Sequence, residues 1–376
     1  PGRRADTNVA VASRISGVLI ESLLAAADRS SHKCVSDPFR SLTYRDFVKL
    51  ADVMRRQVGK ASSNPHVGMM MPSTCAFAAT FYGIIWAGRT AVPLNFLLQP
   101  AELAAVVADA GLDVIFTIKH FADQLKNVPV RKIFIEDLPL KREMILGKIR
   151  RLPSPPVVDG DATAVMIYTS GTSGVPKGVC QTYRNLNADI EGAIRRAELQ
   201  SDHRFLGVLP LSHSFGLTAM LLVPIELGAN VHYIPRFSPA LVLDAIREKK
   251  SSVTMMIASM YSAMLKAKKG SADDISSITY AVSGGEALSM TTFNQFRERF
   301  GVSIIQGYGM TECSPVVSLN IPPTNRPGTI GLALPNIEVN AFDDSGKPCT
   351  RGQSGELWIR GPVVMKGYYR KEADTR

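Results

Sequence analysis

From His66 onward, short apolar runs alternate with helical stretches for most of the chain, and few folds accommodate that pattern. The run "VGMMM" reads as a strand, Ser73 starts a helix running to about Ala87, Gly88 stops it, and "TAVPLN" is the next strand. This is a βαβ unit, and parallel strands need such a crossover. A helix from Pro100 to Ala110, the strand "VIFTI" from Val114 and "KIFIE" from Lys132 continue the pattern. A second series follows: "AVMIYTS", "FLGVLPL", "NVHYIP", "VTMMIA", "ITYAVSGGE" and "VSIIQGYG", with helical stretches such as Pro239 to Lys249 and Ser289 to Phe300 between them. The proline-rich stretch from Leu138 to Asp161 separates the two series. Ahead of both, residues 9 to 29 and "LTYRDFVKLADVM", with Thr43 as N-cap, read as docking helices. After Pro327 the texture turns to short strands and turns, with Asp344-Ser345-Gly346 as a hairpin turn.

The expected fold is therefore α/β: two doubly wound, mostly parallel sheets with flanking helices, plus a small C-terminal β subdomain. The approximate regions are 1–160, 161–326 and 327–376. A chain of 376 residues exceeds the usual size of a single core, so more than one packed unit is expected.

Composition bounds function only loosely. An apolar fraction of 45% with 20% charged residues argues against disorder. The longest apolar run, around Leu217 to Leu227, is interrupted by Pro224 and Glu226, short of the roughly 18 residues that would suggest a membrane span. The net charge of +10 is spread along the chain, so nucleic acid is not an expected partner. Its densest cluster, Lys141 to Arg151, is mixed with apolar residues and leaves peripheral contact with a membrane surface open. Five scattered cysteines without a CxxC pair suggest neither a disulfide framework nor a zinc site. A reducing, cytoplasmic compartment is the expectation. The first residue is Pro1, so a removed targeting segment stays open, as does a homodimer.

The stretch "YTSGTSGVPKGV", Tyr168 to Val179, spaces Gly171 and Lys177 as a P-loop would. Pro176 stands where the second glycine amide belongs, and Gly178 where the magnesium-binding hydroxyl belongs. The following "GVCQTY" alternates like a strand instead of opening a helix. A strand, a loop of glycines and hydroxyls, and a returning strand would form a flap over phosphates. Its donors would be Thr169, Ser170, Thr172 and Ser173, the amides around Gly171 and Gly174, and Lys177 as a point charge.

That stretch resembles the phosphate-binding signature of the adenylate-forming superfamily, which includes acyl- and aryl-CoA synthetases, luciferases and peptide synthetase adenylation domains. "LPLSHSFGL" (Leu209 to Leu217), "SGGEAL" (Ser283 to Leu288), "QGYGMTE" (Gln306 to Glu312) and "GELWIRGPVVMKGYY" (Gly355 to Tyr369) are similar to further motifs of that superfamily, in the same order. The resemblance covers about residues 40 to 376. It implies a carboxylic acid, with a fatty acid ahead of an aryl acid, joined to ATP as an acyl adenylate with release of pyrophosphate. The acyl group then passes to the thiol of CoA. A carboxylate is already ionised at pH 7, so this chemistry needs positioning and charge neutralisation more than a general base.

By the same resemblance, Thr311 bonds the α-phosphate and Glu312 holds Mg²⁺, with Thr172 as a second candidate ligand. Tyr308 lies against adenine, while Gln306, Gly307 and the turn Gly284-Gly285-Glu286 edge the purine. His213 sits by the acyl carboxylate, Phe215 shapes the acyl tunnel, and Arg236 falls near the CoA phosphates. The stripe Met255, Met256, Met260 and Met264 suits core packing, with contact to a flexible acyl chain as the alternative.

Members of the superfamily continue into a ribose-binding threonine-glycine-aspartate, a hinge and a domain carrying the adenylation lysine. The sequence ends at Arg376, so it is expected to represent the large N-terminal domain, with weak activity of its own. Three alternatives remain at this level: an acyl-AMP ligase loading a carrier protein, a non-catalytic nucleotide or acyl-adenylate binding module, and, against Pro176 and Gly178, a P-loop NTPase.

Overall fold

The computed structural model describes residues 14–16, 18–30, 34–147, 150–170 and 176–375. Two large sheets carry the chain. In the seven-stranded sheet the order is Gly367–Tyr368, Pro176–Thr182, Thr163–Ser170, Thr90–Pro93, His66–Met70, Val114–Thr117, Arg131–Phe134. Its last five strands pair in parallel, as the βαβ reading requires. Thr90–Pro93 and Val114–Thr117 are buried at every position, which is why they read as unbroken apolar runs.

The nine-stranded sheet runs Leu332–Ala333, Val316–Leu319, Ile304–Gly309, Tyr280–Ser283, Val253–Met256, Arg204–Gly207, Asn230–Tyr233, Cys34–Asp37, Arg40–Thr43. The six strands from Ile304–Gly309 to Cys34–Asp37 are parallel, and antiparallel partners close both edges.

One core cluster joins residues of both sheets through helices lying between them, among them Tyr44–Ala61, Cys75–Trp86 and Tyr183–Ala197. Cys75–Trp86 is buried at eleven positions, as an apolar-all-round sequence must be. A Cβ at Gly83 would come within 2.6 Å of Met54 Cβ, so glycine there permits the close approach of Tyr44–Ala61. A second cluster packs Pro239–Lys249, Ala258–Leu265 and Met290–Phe300 on the outer face of the nine-stranded sheet, and a third places Pro100–Ala110 outside the other sheet.

Local signals act as expected. Thr43 caps its helix by accepting from Asp46 N, and Gln99 and Glu102 form a capping box at the start of Pro100–Ala110. One cap differs: Thr74, not Ser73, accepts from Phe77 N and starts Cys75–Trp86. The Ser73 hydroxyl instead donates to Leu209 O and accepts from Leu211 N, tying together loops at the ends of the two sheets.

Sheet membership does not follow the sequence regions. The hairpin Thr163–Thr182 completes the first sheet, and Cys34–Thr43 the second, so the two interleave across residue 160. Likewise, within 327–376 only Glu338–Phe342 and Glu356–Arg360 form a separate sheet, while Leu332–Ala333 and Gly367–Tyr368 extend the large ones. In the turn between the two small strands, Asp343 supplies the carboxylate, accepting from Ser345 N and Lys347 N.

Candidate active site

In an open parallel sheet, ligands bind beyond the carboxyl ends of the strands, where the loops gather. Here Ser283 leads into Gly284-Gly285, Gly309 into Met310-Thr311, and Gly207 into the loop carrying His213. Side-chain bonds stitch these loops together. Thr311 is buried, with its Oγ1 3.0 Å from Ser214 Oγ, and its carbonyl accepts from Gln181 Nε2 at 2.7 Å. Gln181 lies on Pro176–Thr182, so the first sheet also reaches the site.

His213 is the N-cap of the turn Ser214–Leu217, and its Nδ1 accepts from Phe215 N at 3.3 Å. That bond assigns the proton of the neutral ring to Nε2. The side chain is exposed on one side, but the protein atoms packed around the ring desolvate it and lower its pKa, which favours the neutral imidazole. A neutral donor suits a site for a carboxylate or its ester, because it bonds an oxygen without trapping it in an ion pair.

Glu312 follows Thr311 in the single turn Thr311–Cys313. Its Oε1 accepts from Tyr368 Oη at 2.8 Å. Lys177 Nζ lies 5.1 Å from the centroid of the same tyrosine ring and pairs with Asp374 Oδ2 at 3.1 Å. Tyr368 thus stands between the flap lysine and the carboxylate. Its place is fixed by backbone bonds from Tyr369 N to Gly178 O and from Met365 N to Glu312 O. No cluster of three or more metal-binding side chains occurs among the described residues. A single hard carboxylate still fits Mg²⁺, which keeps several waters and takes substrate phosphates as ligands.

A cavity of about 240 Å³ opens between His213, Phe215, Gly284, Gly285, Tyr308 and Thr311. It continues between the nine-stranded sheet and the helix Tyr183–Ala197, past Val253, Met255, Val282 and Ala193. A Cβ at Gly284 would meet the Phe215 ring at 3.1 Å, so glycine lets that ring lie against the turn. Gly307 also lines the cavity. Of the methionine stripe, Met255 faces the cavity, while Met256 and Met264 pack in the outer core with Met260 against it.

Other expected residues lie apart. Gln306 is half-buried on its strand and does not line the cavity. Glu286 turns its carboxylate to Ser259, accepting from the amide at 3.0 Å and lying 3.3 Å from the hydroxyl. Arg236 is exposed beyond Asn230–Tyr233, outside the cavity. Thr169 pairs with Lys177, and Ser170 with Pro176, in an antiparallel ladder, so Pro176 opens a strand where a P-loop would open a helix. Gly171, Thr172, Ser173 and Gly174 lie outside the described residues.

Sequence reasoning missed Ser214, Gln181, Tyr368 and Asp374. Ser214 and Tyr368 stand inside the motifs quoted above, but nothing local marks their partners.

A family model described as "AMP-binding enzyme" matches residues 24–369. A long-chain-fatty-acid–CoA ligase of Yersinia pestis is 31% identical over 352 residues, covering 82% of this chain and 62% of the relative. A 4-coumarate–CoA ligase of Pinus taeda is 29% identical, covering 82% and 61%. The chain thus spans about three fifths of the length of these relatives. Among solved structures, the inhibitor-bound N-terminal domain of FACL13 from Mycobacterium tuberculosis superposes with a TM-score of 0.83 at 21% identity, covering 95% of this chain and 92% of that one. The chain belongs to the AMP-binding enzyme family, the adenylate-forming superfamily that contains the acyl- and aryl-CoA ligases.

Proposed function

We propose that the protein activates an apolar carboxylic acid, a fatty acid ahead of an aryl acid, with ATP, giving acyl-AMP and pyrophosphate, and that the acyl group then passes to CoA. The observation that carries this reading is the junction at Thr311: hydroxyls and a neutral imidazole at one end, and an apolar cavity behind them. The identity of the family and the ligase activity named for its relatives support it.

In this reading the acid lies with its tail in the cavity and its carboxylate beside His213. Nε2–H of His213 donates to a carboxylate oxygen and orients the other toward the α-phosphate. Thr311 Oγ1, held by Ser214, bonds an α-phosphate oxygen and gains strength as charge builds there. The carboxylate oxygen forms a bond to the α-phosphorus as the bond to the bridging oxygen breaks, and pyrophosphate leaves with that electron pair. Lys177 and the hydroxyls of the 169–173 segment hold the departing phosphates, and adenine rests by Tyr308 and Gly284-Gly285. Glu312 would hold Mg²⁺, which supplies charge neutralisation on the phosphates. For CoA, the exposed Arg236 is a phosphate partner.

Thr311→Val keeps the shape and removes the hydroxyl. Acid-dependent exchange of pyrophosphate into ATP is expected to fall roughly 100-fold or more, with little change in the KM for ATP. Exchange at the unsubstituted rate would contradict the assignment of Thr311.

A further inference from the structure

We infer that Tyr280 is the floor of the apolar cavity and sets the longest acyl chain the protein accepts. This rests on the cavity being the acyl site. Residues two apart on a strand share a face, and Tyr280, Val282 and Gly284 all line the cavity. Parallel pairing sets Val253 beside Tyr280 and Met255 beside Val282. The cavity is therefore built in layers: Gly284 at the reactive end, Met255 and Val282 in the middle, and Val253 and Tyr280 at the bottom.

Four residues of strand from Gly284 to Tyr280 give a depth of roughly 13 Å. An extended backbone advances about 1.2 Å per bond, taking its rise of 3.3–3.6 Å over three bonds, so that depth accommodates a chain of about ten to twelve carbons.

At the bottom, Tyr280 Oη donates to Ala197 O at 2.7 Å, fixing the ring across the gap between sheet and helix. His203 meets the ring edge-on, with centroids 5.5 Å apart. Tyr280 and His203 are both half-exposed, so solvent lies beyond this ring. Among the described residues, the Tyr280 hydroxyl bonds Ala197 O and not Thr311, Glu312 or Lys177, so its removal opens the bottom away from the reactive end.

The test is calorimetric titration of this chain with non-hydrolysable acyl-sulfamoyl adenosines carrying about 6 to 18 carbons, which reads the site without turnover. Affinity is expected to rise to about ten or twelve carbons and then fall by about tenfold or more at sixteen. Tyr280→Ala removes the fall at sixteen, whereas Tyr280→Phe keeps the ring and therefore the limit. Val253→Phe, which fills the same layer from the neighbouring strand, lowers the limit by about two or three carbons. It provides the test if Tyr280→Ala does not fold. A folded Tyr280→Ala protein with the original length profile, or a Val253→Phe protein with an unmoved limit, overturns the inference. Failure to bind any of these adenylates at any length overturns the acyl-site reading itself.

Discussion

Tyr368 shows how much of the site depends on single side chains outside the recognised roles. It donates to Glu312, lies beneath Lys177 and belongs to a strand paired with the base of the flap. Tyr368→Phe keeps the ring and the strand and removes only the bond to the carboxylate. Loss of such an outer partner commonly weakens metal binding tenfold or more, so the Mn²⁺ dissociation constant in the presence of ATP, read by electron paramagnetic resonance, is expected to rise about tenfold. An unchanged constant would show that Glu312 needs no such support. Thr311, Glu312 and His213 could be named as candidates from the sequence because each sits in a short motif. Their supports were not: Ser214 meets Thr311 across 97 positions, Gln181 across 130, and Tyr368 meets Glu312 across 56. Such bonds exist only once the sheets have brought distant segments together.

Among the elements, helices were the most readable, because caps and stops are satisfied within a turn. Thr43, Pro100 and Gly111, with φ of 63°, mark their boundaries locally. Sheet order was not readable, since a strand's partner is set by burial on both faces and not by its neighbours in the chain. Cys34–Asp37 and the hairpin Thr163–Thr182 illustrate this, each joining the sheet whose other strands lie elsewhere in sequence. The helix Tyr183–Ala197 carries a further conflict. Asp189 is fully buried; its Oδ1 accepts from Val316 N at 3.1 Å, and its Oδ2 has no partner among the described residues. Burial raises its pKa well above the usual carboxylate range. Between the unfolded and folded values the native state binds more protons, so stability falls as pH rises from about 4 toward the folded pKa. Asp189→Asn keeps the acceptor and cannot ionise. It is expected to stabilise the protein by roughly 1 kcal/mol or more at pH 8 relative to pH 4, measured by urea unfolding. Equal effects at both pH values would contradict this.

At the scale of the whole molecule, the site belongs to neither sheet alone. The nine-stranded sheet supplies Thr311, Glu312, the glycine turn and the cavity wall, while the seven-stranded sheet supplies Lys177, Gln181 and Tyr368. The interleaving of the chain across residue 160 is what makes this possible, because strands Thr163–Ser170 and Pro176–Thr182 are built into one sheet while Gln181 on the second of them bonds Thr311 of the other. The cavity then runs from Thr311 between sheet and helix, which in the proposed reading would separate the polar reaction from an apolar tail. The most direct test is a single-turnover incubation of stoichiometric protein with ATP, Mg²⁺ and decanoic acid, with the products identified by mass spectrometry. Decanoyl-AMP and pyrophosphate, formed only when the acid is present, are the predicted result. ADP and phosphate, or ATP breakdown indifferent to the acid, would contradict it.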